Sequence, residues 1–274
     1  MSLKELKSTY NIPVSTRTIQ RRLANMAVRK WRAVNRPYLT ERHARKRLKW
    51  AIAHANWTVE QWAKVIWSDE CAIKKDSDGK IVWVWRHKGK AEKYLPKNVR
   101  PRKRDGGLAQ MAWGCFFGNK LGPLVFIDQG ITKEVYVAML AQNLLGYVDA
   151  LREDSLQDII FQHDNASPHT AKLTREWLKN EGEAHGFTVM EWPANSLDMN
   201  LIENLWAILK QELHQRYHDT KYLSGSPAKV RSILKERLST IWWDIGEEVL
   251  NKLIESMPER VRELREAKGW YTRF

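Results

Sequence analysis

The chain has 274 residues and 43% of them are hydrophobic, which is enough to fill the core of one large domain. The mean hydropathy is −0.56 and no long apolar run occurs, so we expect neither a membrane span nor a secretory leader, and a soluble intracellular protein. Cys71 and Cys115 are the two cysteines, and each lies inside a hydrophobic run. This excludes a disulfide framework and a zinc site built from cysteines.

The net charge of +14 is unevenly distributed along the chain. Residues 1–104 carry 27 Lys and Arg against 8 Asp and Glu, whereas residues 105–274 carry 19 against 24. A basic first third is typical of binding to a polyanion such as nucleic acid. The acidic remainder would repel phosphate, and a bound divalent cation would remove that repulsion.

The first predicted element is a short helix from Val14 to Leu23, with Ser15 as its N-cap and Ile19 on the same face as Leu23. Polar and basic side chains occupy its other faces, as in the recognition helix of a helix-turn-helix unit. The alternative is a solvated basic helix at a domain edge. The candidate DNA contacts on this helix are Arg17, Gln20, Arg21 and Arg22.

A basic segment from Arg29 to Leu39 follows, and its Asn35-Arg36-Pro37 break predicts an extended linker that lies along a DNA groove. Arg36 is therefore a further candidate DNA contact. Thr40 is then expected to cap a basic helix that runs to Asn56.

Strand patterns begin after Trp57. The run Lys64–Ile73 contains Asp69, and a turn at Ser77-Asp78-Gly79 predicts that the next strand, Ile81–Trp85, pairs with it as a hairpin. A basic loop spans residues 86–104. A second hairpin is predicted from the strands Ala109–Phe117 and Pro123–Ile127, which are joined at Gly118-Asn119.

Helices and strands then alternate. The predicted elements are a helix at Lys133–Leu151, a strand at Asp158–Gln162 that ends at Asp164, a helix at His169–Asn180, a strand at Phe187–Trp192, an amphipathic helix from Ile202 with Glu203 in its first turn, and two or three helices within Pro227–Lys268. This order is that of an α/β, RNase H-like fold, a mixed sheet flanked by helices, with a short helical N-terminal DNA-binding remnant.

Three carboxylates occupy positions that converge in such a fold: Asp69 on a central strand, Asp164 at the end of a neighbouring strand and Glu203 on a later helix. Like charges at close range raise one another's pKa unless a cation neutralises them. Oxygen ligands suit Mg²⁺, with Mn²⁺ as a substitute, and a pair of such ions supports in-line phosphoryl transfer. Asp69, Asp164 and Glu203 could hold such a pair of ions, but a chain with 32 acidic residues contains many such triples, so their spacing alone does not assign the site.

Neighbouring polar residues offer alternatives. Glu70 or Asp198 could replace a proposed ligand, although Asp198 also suits the N-cap of the helix that carries Glu203. His163 and His169 flank Asp164, and hydrogen-bonding structural roles are favoured over roles as ligands or a general base, because an oxygen-ligated Mg²⁺ site needs neither.

The sequence around the carboxylates resembles the Tc1/mariner superfamily of DDE transposases. Three segments of this chain resemble the family's three catalytic blocks: WSDE at 67–70, QHDNASPHTA at 162–171 and LDMNLIENLW at 197–206. Residues 112–128 resemble the family's strand hairpin, and residues 255–274 resemble its C-terminal helix. The likeness follows the family's order along almost the whole chain.

The resemblance implies that Asp69, Asp164 and Glu203 are the metal-bridging carboxylates, with 38 residues between the last two. It implies cut-and-paste transposition, in which cleavage at transposon ends is followed by strand transfer into double-stranded target DNA at TA, and a homodimer that pairs two ends. The family's two prolines are missing from Ser196–Leu201, which predicts a looser approach to Glu203.

The resemblance also suggests two parts: residues 1–57 as a partial helix-turn-helix with its basic linker and helix, and residues 58–274 as the catalytic domain with C-terminal helices. Related transposases extend a clamp where the 86–104 loop lies, so this loop is either a clamp or a solvated run; its candidate DNA contacts are Arg102, Lys103 and Arg104. With little chain before Val14, we expect its helix to lack helical partners and sequence-specific recognition to be largely lost.

Two rival functions remain at this point. One is a catalytically impaired or domesticated transposase-derived DNA-binding protein, and the other is an RNase H-like nuclease of repair or RNA processing. In a eukaryotic host we expect the protein in the nucleus, with His43–Lys49 or Arg100–Arg104 as import signals, and otherwise inside the cell.

Overall fold

The computed structural model describes residues 2–32, 34–75, 83–87, 93, 99–100, 108–154 and 158–274. The helices are α1 Leu3–Thr9, α2 Thr16–Asn25, α3 Glu41–Ala53, α4 Val59–Trp62, α5 Lys133–Glu153, α6 Lys172–His185, α7 Ile202–Arg216, α8 Pro227–Trp243, α9 Glu247–Glu255 and α10 Met257–Glu266, with a 3₁₀ turn at Thr220–Tyr222. Across these ranges, no helix combines the length and the apolar character that a membrane crossing requires.

The strands are β1 Val28–Arg32, β2 Val34–Asn35, β3 Val65–Lys74, β4 Trp83–His87, β5 Val99–Arg100, β6 Ala109–Phe117, β7 Lys120–Ile127, β8 Ile159–Gln162 and β9 Phe187–Val189. Five of them form one sheet in the order β7-β6-β3-β8-β9. β3 pairs antiparallel with β6 and parallel with β8, so the sheet is mixed, as predicted.

Helices cover both faces of this sheet. On one face, α5 and α6 contribute Leu140, Leu144 and Leu178 to a core that includes Trp113 of the sheet. On the other face, α7 and α8 pack Trp206 and other apolar side chains against Trp67 and Phe116. β3 is buried from both sides, as its continuous apolar run requires.

The predicted hairpin of Lys64–Ile73 with Ile81–Trp85 is wrong. β4 pairs antiparallel with β1, from Val28 opposite His87 to Arg32 opposite Trp83, and β3 is flanked by β6 and β8. The proposed turn residues 77–79 lie outside the described ranges. The partner of β4 is therefore β1, a strand of the basic linker, and not β3, which is nearer to β4 in the sequence.

Two predicted boundaries also shift. The helix expected at His169 begins at Lys172, because tight turns at 167–170 precede it, with the His169 N–H bonded to the carbonyl of Ala166. The strand expected to reach Trp192 ends at Val189. Pro193 follows closely, and proline has no N–H for a sheet ladder.

The helix predicted at Val14–Leu23 is observed as α2, and it is not isolated, contrary to the expectation. α1 was not predicted; it contacts α2, which also contacts β1. Ile19 is buried in this small assembly, and Ser15 caps α2 as predicted, with its hydroxyl 3.1 Å from the N–H of Thr18. Thr40 likewise caps α3. The helix therefore has partners to bury its apolar face.

Candidate active site

Asp69 lies in the middle of β3 and is 8% exposed. Opposite it on β6 is Gly114. On the other side, the ladder between β3 and β8 ends at Trp67 and Gln162, two residues before Asp69. Ser68 closes this end of the ladder, since its N–H donates to the Gln162 side chain and its hydroxyl to the Gln162 carbonyl. Asp69 therefore lies just beyond the point where β3 and β8 stop pairing.

Asp164 reaches the same edge because β3 and β8 run parallel. The pairs Val65–Ile160 and Trp67–Gln162 set a register that, continued by two residues, brings Asp164 beside Asp69. The chain leaves the ladder after Gln162, and Asp164 stands in the turn that follows. The side chain of Asp164 is 37% exposed, so it remains accessible to substrate.

Glu203 comes to this edge in the first turn of α7. The buried face of that helix includes Leu205, Trp206 and Leu209, which pack on the sheet. Gly114 allows the close approach: a Cβ at that position would lie 2.8 Å from the Trp206 ring. The glycine opposite Asp69 thus sets how near α7, and with it Glu203, comes to β3.

Asp69 is held in a strongly acidic environment. Burial raises the pKa of Asp69 well above its ordinary range, and the charges of Glu70, Glu203 and Asp164 raise it further. The side-chain amide of Asn200 donates to Asp69 Oδ2 at 3.1 Å, and the N–H of Glu70 donates to Oδ1 at 2.8 Å. All three predicted carboxylates therefore belong to one electrostatic cluster.

His169 connects two members of this cluster. Its Nδ1 lies 2.7 Å from Asp164 Oδ1, its Nε2 lies 3.3 Å from Glu70 Oε1, and its ring stacks on Tyr136 with centroids 3.9 Å apart. Burial lowers the pKa of His169, but the two carboxylates outweigh it and raise that pKa to about 10. The imidazolium orients Asp164, in agreement with the structural role favoured from sequence.

The two groups next to His169 respond to its charge. Burial and the positive charge of His169 lower the pKa of His163 to about 4, so His163 is a neutral ring, 3.2 Å from the Tyr136 hydroxyl. Burial raises the pKa of Asp164, but His169 and the Ala166 N–H lower it by more, leaving it below its ordinary value. Asp164 is therefore ionised at neutral pH.

The prediction that Asp198 caps α7 is wrong. The N-cap is Leu201, with no side-chain cap. Asp198 instead accepts hydrogen bonds from the two terminal guanidinium nitrogens of Arg47, Nη1 and Nη2, at 2.7 and 2.6 Å. Thr272 donates to the same carboxylate at 2.8 Å, and Arg260 donates to the Asp198 carbonyl at 2.7 Å. Burial raises the pKa of Asp198, but Arg47 and Thr272 lower it by more. Its role is to anchor the loop.

The loop before Glu203 is well packed although both family prolines are missing. Met199 and Leu201 are fully buried, and Leu201 occupies the position of one missing proline. Together with the Asp198 contacts, this burial fixes the segment that leads into Glu203 without proline.

The donor chemistry of the cluster suits a divalent cation. The carboxylates supply oxygen atoms and excess negative charge, and the buried Asn200 Oδ1 has no hydrogen-bond partner. The hydrogen bonds from the Ala166 N–H and from His169 both go to Asp164 Oδ1, and within the described ranges no donor contacts Oδ2. Within the described ranges, no group of three or more His, Cys, Asp or Glu side chains has the arrangement to hold an ion. The three carboxylates belong to one electrostatic cluster, but their side chains do not have the arrangement of a metal site.

The candidate DNA contacts fall into three groups. All of those on α2 are exposed, namely Arg17, Gln20, Arg21 and Arg22. Arg36 is half-buried, and its guanidinium donates to the Phe274 carbonyl. The remaining candidates, Arg102, Lys103 and Arg104, lie outside the described residues, as does most of the 86–104 loop.

Sequence reasoning missed Asn200, Arg47 and Arg260 as residues that shape the site. Asn200 lies inside the LDMNLIENLW block, where a polar residue between two apolar ones signals a buried hydrogen bond. Arg47 had a signal too, because it shares the i, i+3, i+7 spacing of Ala44 and Ala51 on the buried face of α3. The many other basic residues of α3 mask this spacing.

Two known protein families match this chain. A Tc3-type helix-turn-helix family described as "Transposase" matches residues 1–56, and the family "DDE superfamily endonuclease" matches residues 64–223. The transposase of the transposable element Tc1 from Caenorhabditis elegans is 33% identical over 273 residues, covering 97% of this chain and 91% of that protein. The Tcb1 transposase of Caenorhabditis briggsae is 31% identical, covering 96% and 90%.

Solved structures support the fold. The Mos1 transposase in a paired-end complex with the left transposon end aligns with a TM-score of 0.69 at 20% identity, covering 99% of this chain and 75% of that one. The catalytic domain of Mos1 mariner transposase aligns at 0.61 and 16% identity, covering 86% and 98%. The fold is therefore RNase H-like, as predicted, and the candidate site lies within the segment that matches the DDE superfamily endonuclease family. The chain belongs to the Tc1/mariner family of DDE transposases.

Proposed function

We propose that this DNA transposase is Mg²⁺-dependent, with Mn²⁺ as a substitute, and that Asp69, Asp164 and Glu203 hold two ions and carry the catalysis. The observation that carries the proposal is the convergence of these three carboxylates, from a central strand, a strand end and a helix, on one edge of the sheet. Structures of the Mos1 catalytic domain with Mg and with Mn add support.

The proposed reaction has two steps. Water attacks a phosphodiester at the transposon end, and the freed 3′-hydroxyl then attacks target DNA, preferentially at TA. When bound, the ions would lower the pKa of the attacking water or 3′-hydroxyl and stabilise the leaving oxygen. The rival functions gain no support from the relatives reported above, which are transposases.

The chain's own residues do the positioning. Asn200 fixes Asp69 Oδ2 through its side-chain amide, and His169 fixes Asp164 Oδ1 through its ring N–H. Arg47 and Arg260 fix the loop that leads into Glu203. These contacts restrict the motion of two carboxylates and of the loop before the third, which limits the rearrangement that binding of cation and substrate must bring about.

The remaining assignments follow from family membership. We infer a division into a DNA-binding part, 1–57, and a catalytic part, 58–274, and a homodimer that pairs two transposon ends. Mos1 was solved in a paired-end complex with transposon DNA, which supports end binding by this fold. In a eukaryotic host the protein would act in the nucleus, which localisation of a tagged copy would test.

Substitution of the carboxylates tests the catalytic assignment. We expect Asp69→Ala, Asp164→Ala and Glu203→Ala each to abolish cleavage of supercoiled DNA with Mg²⁺ or Mn²⁺, because each would remove an ionic oxygen donor. DNA affinity should change little, since the cations that contact phosphate lie elsewhere. The measurement is a nicking assay beside a binding titration, with the exposed Glu266→Ala as control. Wild-type cleavage by any one variant would remove that residue from the site.

A further inference from the structure

We propose that the cleft between α3 and α6 binds the phosphodiester backbone of the DNA strand that enters the carboxylate site, through Lys46, Lys49 and Arg175. This inference rests on the proposed function, because it specifies how the substrate of that same site is held.

The cleft has a volume of about 530 Å³ and reaches the proposed catalytic edge. Lys46 and Lys49 line it from α3, and Arg175 lines it from the first turn of α6. Asp164 and His169 also belong to its lining. A molecule lying in the cleft therefore contacts the basic side chains and the proposed catalytic edge at the same time.

The three cations are available for a ligand. Lys46, Lys49 and Arg175 are exposed, and no carboxylate in the described parts of the chain lies within ion-pairing distance of them. Other basic residues on the same helices differ: Arg47 is buried against Asp198, and Lys172 pairs with Glu176.

The acidic lining of the cleft is smaller than its basic lining. Glu191 and Asp164 line it beside the three cations, and the proposed ligand role of Asp164 would place its charge on a metal ion. The excess of unpaired positive charge marks this cleft as an anion site.

Electrostatics indicates why the anion is a phosphate chain. The carboxylate cluster repels phosphate, so a strand reaches it only if cations nearby offset that repulsion. Lys46 and Lys49 are three residues apart on one helix, a rise of about 4.5 Å. Residues three apart lie on the same face of a helix, so the two lysines can contact neighbouring phosphates of one strand.

The salt dependence of DNA binding tests the proposal without any catalysis. Each phosphate contact removed lowers the slope of log K against log salt by about 0.9 on duplex DNA or about 0.7 on a single strand. We expect this decrease for Lys46→Gln, Lys49→Gln and Arg175→Gln, measured on the full chain without divalent cation. The matched control is Lys229→Gln, which changes an exposed lysine on α8. This helix packs on β6 and β7, at the opposite end of the strand order from β9.

A second measurement separates strand binding from metal binding. In the cleavage assay the three variants should need more DNA for half-maximal rate, while the Mg²⁺ concentration for half-maximal rate stays at the wild-type value. Slopes equal to that of Lys229→Gln, or a shift in Mg²⁺ requirement alone, would overturn the proposal. Failure of the proposed function would show differently, as wild-type protein that does not cleave; the binding slopes would still decide whether the cleft holds phosphate.

Discussion

Gly114 shows how much a single residue contributes to the site. It lies opposite Asp69 on β6, and the indole of Trp206 fills the space where a side chain would stand. The spacing between sheet and helix, and so the approach of Glu203 to Asp69, depends on the absence of one carbon atom.

A pair of glycine substitutions tests this at the residue scale. Gly114→Ala should lower the free energy of unfolding by about 1–3 kcal/mol, because the new Cβ overpacks against the Trp206 ring. Gly146→Ala, within α5, has no atom within 4 Å of the new Cβ and should raise it by about 0.5–1 kcal/mol through helix propensity. Urea denaturation measures both. Equal effects in the two variants would show that packing at Gly114 is not tight.

At the scale of elements, the loop before α7 joins distant parts of the chain. Arg47 comes from α3, Arg260 from α10 and Thr272 from the C-terminal segment, and all three bind Asp198. The same Arg47 donates to the carbonyl of Gly269. The loop that carries Asn200 is thus held from both ends of the sequence.

Removing the charge of Asp198 should be costly and pH-dependent. Asp198→Asn leaves Arg47 buried without its counter-charge, so we expect a loss of about 3 kcal/mol of unfolding free energy at pH 7. The folded-state pKa of Asp198 is depressed, so its contribution is present above the unfolded value of about 3.9 and is lost as pH falls through the folded pKa. The gap between variant and wild type should therefore close in acid.

The control for that experiment is an exposed ion pair. Asp158 lies 2.8 Å from Lys64 with its side chain 75% exposed, and Asp158→Asn should cost less than about 1 kcal/mol. Urea titrations at pH 7 and below pH 4 measure both variants. A cost for Asp198→Asn that is the same at both pH values would argue against an ionic role.

At the level of the whole molecule, we expect the acidic cluster to couple stability to cation binding. Mg²⁺ that binds only the folded chain should stabilise it by about 2.7 kcal/mol at one hundred times its dissociation constant. Asp69→Asn should remove most of this gain. The same variant should raise stability without Mg²⁺ at neutral pH, because the raised pKa of Asp69 means that its ionised form is unfavourable in the fold.

Thermal unfolding with and without Mg²⁺ measures this coupling, and Glu266→Gln serves as the exposed control. An Asp69→Asn variant that keeps the wild-type Mg²⁺ shift would place the ion elsewhere. An unchanged stability without Mg²⁺ would show that Asp69 is not strained by its neighbours.

The sequence was most informative where a pattern is local. Strand Ala109–Phe117 has the predicted bounds, and helix Lys133–Glu153 extends the predicted one by two residues, because strand patterns and helical periodicity are properties of short windows. The site residues Asp69, Asp164 and Glu203 were recognised from the residues around them, not from their spacing. These local signals gave the order of elements and hence the fold class.

Pairing between distant segments could not be predicted in the same way. The choice of β1 as the partner of β4 joins residues more than fifty positions apart, and nothing near residue 83 indicates it. The contacts of Arg47 with Asp198 span 151 positions. Such choices depend on the whole packing, which a local reading of propensity does not contain.

The contacts of Asp198 also have a consequence for biosynthesis. Thr272 and the carbonyl of Gly269 are made after the other residues of the site, yet they complete the surroundings of Arg47 and of the loop before Glu203. Contacts between such distant positions form late, since a long loop must close before they are rewarded. On a ribosome that adds residues from the N-terminus, the basic helices emerge first. We therefore expect a nascent chain to gain DNA affinity before it gains nuclease activity, and the emergence of residues 269–272 from the ribosome to be the event that completes the site.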